Sequence, residues 1–383
     1  MNGKLSPHPG WAFRIGVIVL AAIMVGEITA FAGFKLFATD RLARHWRIDP
    51  GAILSELSLD TFQRYLDQFF DPVLGWSFDK DTTAIPYATF DELGARVDPA
   101  DGPTGKFAAY GDSFTFGEDV GADETWPHYL SEQTQVHVAN YGVAGYGPDQ
   151  SLLRLKGHLE QGKVPDTVVL GVLSENIGRV VNVWRQAYAG HETLNFKPIL
   201  WVEDGVTRWI PTPLALPGDT DSVRQAIIDA QPFDFWLGYN QLRPNRPHFP
   251  YLLSAFDTAR FLSFRMVRWQ DLWEAEKPVA IFRAIMGEFV MLSQEYDFRP
   301  ILVMIPMGED LRLRDAEKPS TYGTALAVLR QDFGDKLTIL DTLDEPFEAS
   351  QFNLKPFAGH ASPYGNRAIA SAIFSSLPSG PSD

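Results

Sequence analysis

The chain contains no cysteine. That absence removes disulfides, thiolate nucleophiles and cysteine-based zinc sites together, and leaves the compartment open. Positive charge is also scarce: 33 Lys and Arg stand against 48 Asp and Glu, for a net charge of −15. Phosphate backbones are held by clustered Lys and Arg. No such cluster occurs outside the N-terminal region, so the reading is no nucleic acid as partner. There is no internal repeat, no low-complexity tract, no H-E-x-x-H, no aspartate cluster and no Walker loop. Metal and nucleotide readings therefore lack a basis, and no cofactor is called for. Apolar residues, in contrast, are plentiful: 45% hydrophobic and 13% aromatic in 383 residues, enough for one large α/β domain with additions.

One long hydrophobic run is present. From Ile15 to Phe34 only Glu27 and Thr29 are polar, and about 20 apolar residues are the length of a bilayer-spanning helix. Two readings compete. A single-pass membrane anchor is expected, because the run continues through Gly33 and Phe34; the rival is a cleaved signal peptide with Ala30-Phe31-Ala32 as its small-x-small site. Residues 1–14 then form a short tail. Glu27 is costly in hydrocarbon, and either reaches the headgroups or meets a partner membrane protein. Lys4 and Arg14 precede the run, while Lys35, Arg41, Arg44 and Arg47 follow it. A positive-inside count puts the large domain in the cytoplasm, against the extracytoplasmic (periplasmic) placement that the functional reading below favours.

Residues 35–100 are expected to be a helical connecting segment, since Leu54, Leu57, Phe62, Tyr65, Leu66, Phe69 and Phe70 recur at roughly helical spacing. A domain boundary is placed near Asp101-Gly102-Pro103. Beyond it, over residues 101–378, strands and helices alternate. A strand from Lys106 runs into Gly111-Asp112-Ser113, a helix opens at Glu124-Thr125-Trp126-Pro127, and a strand covers Val136–Ala139. Asp149 is read as the cap of the next helix, and the strongest strand, Thr167–Leu173, ends in Ser174-Glu175-Asn176. The pattern breaks over 182–275, an insertion carrying Trp184, Trp201, Trp209, Trp236, Trp269 and Trp273, with a hairpin signal at Asp204-Gly205. These Trp residues either pack on the main domain or form a platform for sugar rings. Alternation resumes with a helix near 279–296, a strand at Ile301–Ile305, a helix around 322–333 and a strand ending at Asp341. Last, Ser362 and Pro363 open a helix just after His360. Such a rhythm implies a parallel sheet covered by helices, with ligands beyond the strands' carboxyl ends.

Ser113 at a strand end is placed as a nucleophile should be, on a rigid element. The surrounding residues are not a G-x-S-x-G elbow, because position 115 is Thr. Four ordered pieces carry a resemblance instead. Gly111-Asp112-Ser113-Phe114, Asn140-x-Gly142-x-x-Gly145, Asn176, and His360 with Gly365 and Ala368 resemble, in order and spacing, the blocks of the SGNH (GDSL-type) esterases and acyltransferases, over residues 107–370. The resemblance implies a three-layer α/β/α fold with a flavodoxin-like parallel sheet. It implies Ser113 as nucleophile, His360 as general base, and the Ser113 and Gly145 N–H groups with the Asn176 amide as an oxyanion hole. Anchored members often serve polysaccharide O-acetylation, so the expected reaction is hydrolysis or transfer of an O-acyl group, acetyl above all, on a surface carbohydrate or another ester.

Two positions depart from the pattern. Members usually carry Asp three residues before the histidine, where this chain has Phe357, and Ile177 follows Asn176 where Asp is usual. The acid then comes from elsewhere, with Asp341, Glu345 and Glu348 as candidates, or His360 works in a dyad. A third outcome is a catalytically weak carbohydrate-binding or assembly subunit that keeps the fold. Asp112 is read as a structural residue of the serine loop, and His128 and His137 as surface or packing residues.

Overall fold

Five strands lie side by side and parallel: β1 (Phe107–Gly111), β2 (Val138–Gly142), β3 (Thr167–Leu173), β4 (Arg299–Ile305) and β5 (Thr338–Asp341). Their order across the sheet is β2-β1-β3-β4-β5, the flavodoxin-like order. The computed structural model describes residues 9–37, 40–83, 85–100, 105–190, 193–355 and 359–378. Every residue of β3 is buried, which is why it reads as a continuous apolar run rather than an alternating one. Successive side chains point to opposite faces. Val169, Leu173, Ile301, Val303 and Ile305 form one core with Trp126 and Leu130 of the helix Trp126–Thr134 and Ile369 and Ile373 of the helix Pro363–Ser376. Val168, Leu170, Val172, Leu302 and Met304, equally buried, face the other layer, where Pro148–Glu160 and Glu276–Tyr296 pack together.

Caps fix where the helices of the first layer begin. The Thr125 hydroxyl accepts from the His128 N–H at 3.3 Å, and Ser362 accepts from Gly365 N–H at 3.0 Å. In both helices a proline occupies the first turn, where its missing N–H costs nothing. Asp149 does not cap as expected. Gly147 precedes that helix, and Asp149 is fully buried in an ion pair with Lys197. Burial raises the Asp149 pKa and lowers that of Lys197, and each partner offsets part of the other's shift.

The chain divides into two units at places other than 101–103. One unit joins residues up to Asp49 with Leu237–Val267; the other joins Pro50–Trp236 with the chain from Arg268 onward. The helical expectation for 35–100 holds at Pro50–Glu56 and Leu59–Gln68 and fails beyond them. From Phe70 the chain forms a two-residue antiparallel pair, Phe70–Asp71 with Gly75–Trp76, and then loops. Asp, Pro and Gly leave this stretch no helical stripe, and its aromatics Trp76, Phe78 and Phe90 pack instead with Phe116, Val143 and Tyr146. The expected boundary residues 101–103 lie outside the described ones.

The insertion 182–275 is thus shared between the units. Its hairpin pairs Ile199–Glu203 with Val206–Ile210. Asp204 and Gly205 hold φ of 50° and 75°, as a type I′ turn requires. The sugar-platform reading fails for four of the six Trp residues, Trp209 and Trp269 being half-buried. Trp184, Trp201, Trp236 and Trp273 are all buried. Three of them donate their indole N–H internally, Trp184 to Thr193 O at 2.8 Å, Trp236 to Gly178 O at 2.7 Å and Trp273 to Ser174 O at 2.9 Å. A buried indole fills volume and needs one acceptor, and each of these has it.

In the other unit one helix, Pro9–Phe37, begins within the expected tail and passes Ala30-Phe31-Ala32 without a break. Over Gly10–Phe37 it is long and apolar enough to cross a membrane, with mean hydropathy 2.3 in its most apolar 18-residue stretch and no residue of that stretch buried. Glu27 is met from within its own chain: its carboxylate accepts from the Tyr251 N–H at 2.6 Å and the Leu252 N–H at 3.3 Å. These are the first donors of the helix Tyr251–Phe264. Asn240 ties the same unit together, accepting from Ile48 N–H and donating to Ile48 O.

Candidate active site

In the 2-1-3-4-5 order the chain switches direction beside β1, so a crevice opens at the carboxyl ends of β1 and β3. The serine turn occupies it. Gly111 ends β1, and Asp112 caps the single helical turn Ser113–Phe116, its Oδ1 accepting from Phe114 N–H at 2.9 Å. Ser113 is therefore the first residue of a helix, where the backbone N–H has no partner within the helix.

His360 arrives from the far end of the chain, on the loop before Pro363–Ser376. Its Nε2 lies 3.0 Å from Ser113 Oγ. Leu354 N–H and the Asn353 amide bind His360 O and Gly359 O, and the Phe114 ring flanks the imidazole at 5.1 Å between centroids. The other ring nitrogen, Nδ1, meets Asp119 Oδ2 at 2.8 Å. A carboxylate only accepts, so the neutral ring keeps its proton on Nδ1 and turns the Nε2 lone pair to the serine hydroxyl. Glu118 stands near by, 3.5 Å from Nε2.

Asp119 was not among the sequence candidates for the acid. It lies six residues after Ser113, in the left-handed region with φ 72°, which Asp tolerates better than most residues. The loop around it is fixed by Arg96, also missed. This buried guanidinium donates to the carbonyls of Phe116 and Gly117 at 2.8 Å each and of Val120 at 2.9 Å. Three carbonyls pointing at one cation hold both sides of the Asp119 peptide. A carboxylate pair, Glu118-Asp119, just after a candidate nucleophile was the available signal; the 241-residue separation from His360 hid it.

The expected acid, Asp341, is engaged elsewhere. Its Oδ1 accepts from Tyr322 OH at 2.9 Å and Leu343 N–H at 3.0 Å, so it ends β5 and caps the turn that follows. With Asp119 and Ser113 on the two ring nitrogens of His360, no nitrogen is left for Glu345 or Glu348. Phe357 lies outside the described residues. Burial raises the Asp341 pKa to about 6. A carboxyl whose folded pKa is raised stabilises the fold relatively at low pH, and that contribution is lost as pH rises through the folded value. Asp341→Asn is accordingly expected to raise thermal stability relative to the unsubstituted chain above pH 6. The difference should vanish near pH 4, in paired melting curves.

Asn176 and Asn140 of the other blocks reach the serine turn through contacts that can be named. Asp112 Oδ2 accepts from Asn176 Nδ2 at 2.9 Å and from Arg179 Nη1 at 3.1 Å, so the loop after β3 is tied to the loop after β1. Asn176 Oδ1 accepts from Leu173 N–H, and its amide nitrogen has a second N–H to give. Arg179 is buried. Burial works against its charge, but Glu175 and Asp112 beside it outweigh that and raise its pKa. From β2, Asn140 accepts from Gly142 N–H at 3.0 Å and donates to Phe116 O at 3.3 Å. A Cβ on Gly142 would stand 2.2 Å from the Phe116 backbone nitrogen, so only glycine lets β2 reach the serine turn. Gly142→Ala is expected to cost about 1–3 kcal/mol by overpacking, seen as a lower denaturation midpoint, and to lower activity because the displaced atoms belong to the Ser113 turn. Gly145, φ 82°, makes the next turn in a conformation that glycine adopts freely. His128 is buried, with Nδ1 2.8 Å from Asp98, a packing role as expected; His137 touches none of these residues.

No protein-family model matches the chain, and no curated protein matches. Among solved structures it is similar to a putative lipolytic protein of the G-D-S-L family from Desulfitobacterium hafniense (14% identity, 72% of this chain and 100% of that one, TM-score 0.34). It is also similar to a lipolytic G-D-S-L family protein from Veillonella parvula (10% identity, 71% and 97%, TM-score 0.36). A third is an acetyl xylan esterase from the rumen bacterium Butyrivibrio proteoclasticus (13% identity, 72% and 63%, TM-score 0.34). Overlaps this loose transfer no activity, so the chemistry is read from Ser113, His360 and Asp119 themselves.

Proposed function

We propose that the chain is a serine-dependent O-acyl ester hydrolase or acyltransferase working through an acyl-enzyme on Ser113. The observation that carries this is the unbroken line Asp119 Oδ2 to His360 Nδ1 (2.8 Å) and His360 Nε2 to Ser113 Oγ (3.0 Å). Ser113 Oγ attacks the ester carbonyl carbon while its proton passes to His360 Nε2, and the imidazolium so formed is held by Asp119. The carbonyl oxygen becomes an oxyanion facing the Ser113 N–H, the Gly145 N–H and the Asn176 amide, the donor set that lowers such barriers. Collapse breaks the ester C–O bond, the leaving alkoxide takes the proton back from His360, and the acyl group stays on Ser113. Water then gives a hydrolase and another hydroxyl a transferase, by the same steps reversed in order.

An acid already on His360 argues against a fold kept without catalysis. The substrate class, an acetylated surface carbohydrate, rests on the resemblance and no longer on the Trp residues, four of which are buried while Trp209 and Trp269 are half-buried. We place the sheet on the extracytoplasmic side of a single-pass anchor, where such a carbohydrate is met; Arg41, Arg44 and Arg47 oppose that placement. A reporter fused after Asp383 tests it, and cytoplasmic reporter activity would move the substrate indoors. For the chemistry, the full chain in detergent is mixed with p-nitrophenyl acetate, quenched in acid and mapped by peptide mass spectrometry. An acetyl group on the peptide containing Ser113 is expected. Turnover with no such adduct in the burst phase would remove the acyl-enzyme.

A further inference from the structure

The unit built from residues up to Asp49 and Leu237–Val267 holds a second apolar surface besides the long helix. Phe249, Leu252, Leu253 and Phe256 are 72%, 43%, 59% and 65% exposed, and within the helix Leu252, Leu253 and Phe256 fall on one side, three and four residues apart. The helix that bears them, Tyr251–Phe264, packs along the C-terminal half of Pro9–Phe37. Leu252 lies against Gly26, its Cδ2 3.3 Å from where a Cβ would stand, and the Tyr251 and Phe31 rings are 5.0 Å apart. At the other end Phe261 faces His45. The second helix thus starts at the level of Glu27 and runs towards the end of the first. Glu27 is ten residues from Phe37, about 15 Å inside that end at the helical rise.

Two features suit this start to hydrocarbon. The Glu27 carboxylate, which would otherwise be stranded there, takes two N–H donors from the positive end of a helix. The turn before the helix also hides most of its own donors, as backbone at membrane depth must, the Phe249 N–H being the exception. Pro247 and Pro250 have no N–H, that of His248 is bonded to Ser254 Oγ, and those of Tyr251 and Leu252 go to Glu27. Charged side chains lie to either side of the apolar cluster, Arg246 before it and the Asp257–Arg260 pair after it.

We propose that residues 247–256 are a second membrane element: a re-entrant turn and helix start whose face of Phe249, Leu252, Leu253 and Phe256 is covered by lipid acyl chains, in the same leaflet as the last turns of the anchor. The face is continuous with the exposed apolar flank of the anchor, and its depth is fixed by the Glu27 contact. The proposal rests on the anchor reading and is independent of the chemistry at Ser113.

The absence of native cysteine makes the test direct. Single-cysteine variants of the full chain, Leu253→Cys and Phe256→Cys, are compared in lipid nanodiscs with Ile18→Cys in the anchor and Leu59→Cys, an exposed position of the other unit. An NBD label at 253 or 256 should be quenched by doxyl-labelled lipids about as strongly as one at 18. Both positions should react at least about tenfold more slowly than 59 with a membrane-impermeant maleimide. If 18 is quenched while 253 and 256 are unquenched and react as fast as 59, the proposal is overturned. Protection of 253 and 256 without lipid quenching also overturns it, since a second copy or another protein would then cover the face. No quenching at 18 removes the anchor reading, and this proposal with it.

Discussion

Ser113→Ala and His360→Ala are each expected to lower kcat for ester cleavage by about a millionfold, and the double variant should fall no further. The reason is that nucleophile and base act as one unit: a serine without its base is a weak nucleophile, and a base without its serine has no proton to take. In a protease triad the single losses of serine or histidine are likewise about as large as the loss of all three members. The 3.0 Å contact between His360 Nε2 and Ser113 Oγ is what makes the two one unit here. Neither side chain supports the core: Ser113 caps nothing, and His360 sits on a loop with 24% of its side chain exposed. Melting temperatures of both variants should therefore stay within a few degrees of the unsubstituted chain. A drop of about tenfold only, with the fold intact, would mean that turnover runs through another group.

Asp119→Asn is expected to lower kcat by about 10²–10³, less than the roughly 10⁴ seen when the buried acid of a triad is amidated. Exposure decides the difference. The Asp119 side chain is 59% exposed and that of His360 24%, so water screens the attraction between carboxylate and imidazolium more than a buried pair would allow. What the amide still destroys is orientation, because an amide N–H turned to Nδ1 puts the ring proton on Nε2, facing the serine. KM should change little, since Asp119 touches the histidine and not the ester. Asp341→Asn serves as the contrast, expected within about threefold of the unsubstituted rate because its carboxylate serves Tyr322 and Leu343. If the two variants exchanged places, the acid would be at the end of β5 after all.

The part of the site legible in the sequence is the part built from local pattern. A run of small and apolar residues ending in Gly-Asp-Ser reads as a buried strand delivering a serine, and Ser362-Pro363 marks the start of the helix behind His360. The parallel sheet followed from the β-α-β rhythm, and its flavodoxin-like character from the resemblance alone. Asp119 was illegible because its contact spans nearly the whole chain, and because a loop carboxylate looks like any solvated one until Arg96 is seen to pin the loop carbonyls around it. Asp149 misled for the opposite reason: an Asp at a helix start is normally a cap, and only the buried Lys197 showed otherwise. The Trp residues of the insertion were ambiguous between platform and packing. Composition cannot distinguish a Trp face turned outward from one whose N–H has found a carbonyl inside. Glu27 was noticed for its cost in an apolar helix, but its partners are backbone N–H groups more than two hundred residues away, and backbone groups leave no mark in a sequence.

The central claim is that Ser113 is made nucleophilic by His360 held on Asp119. The rate at which a fluorophosphonate labels the full chain, with the adduct located by peptide mass spectrometry, reads that property without any choice of substrate. The expected result is one adduct on Ser113 in the unsubstituted chain, labelling about 10²–10³ slower in Asp119→Asn, and none in His360→Ala. An unlabelled Ser113, or labelling as fast in Asp119→Asn as in the unsubstituted chain, would contradict it.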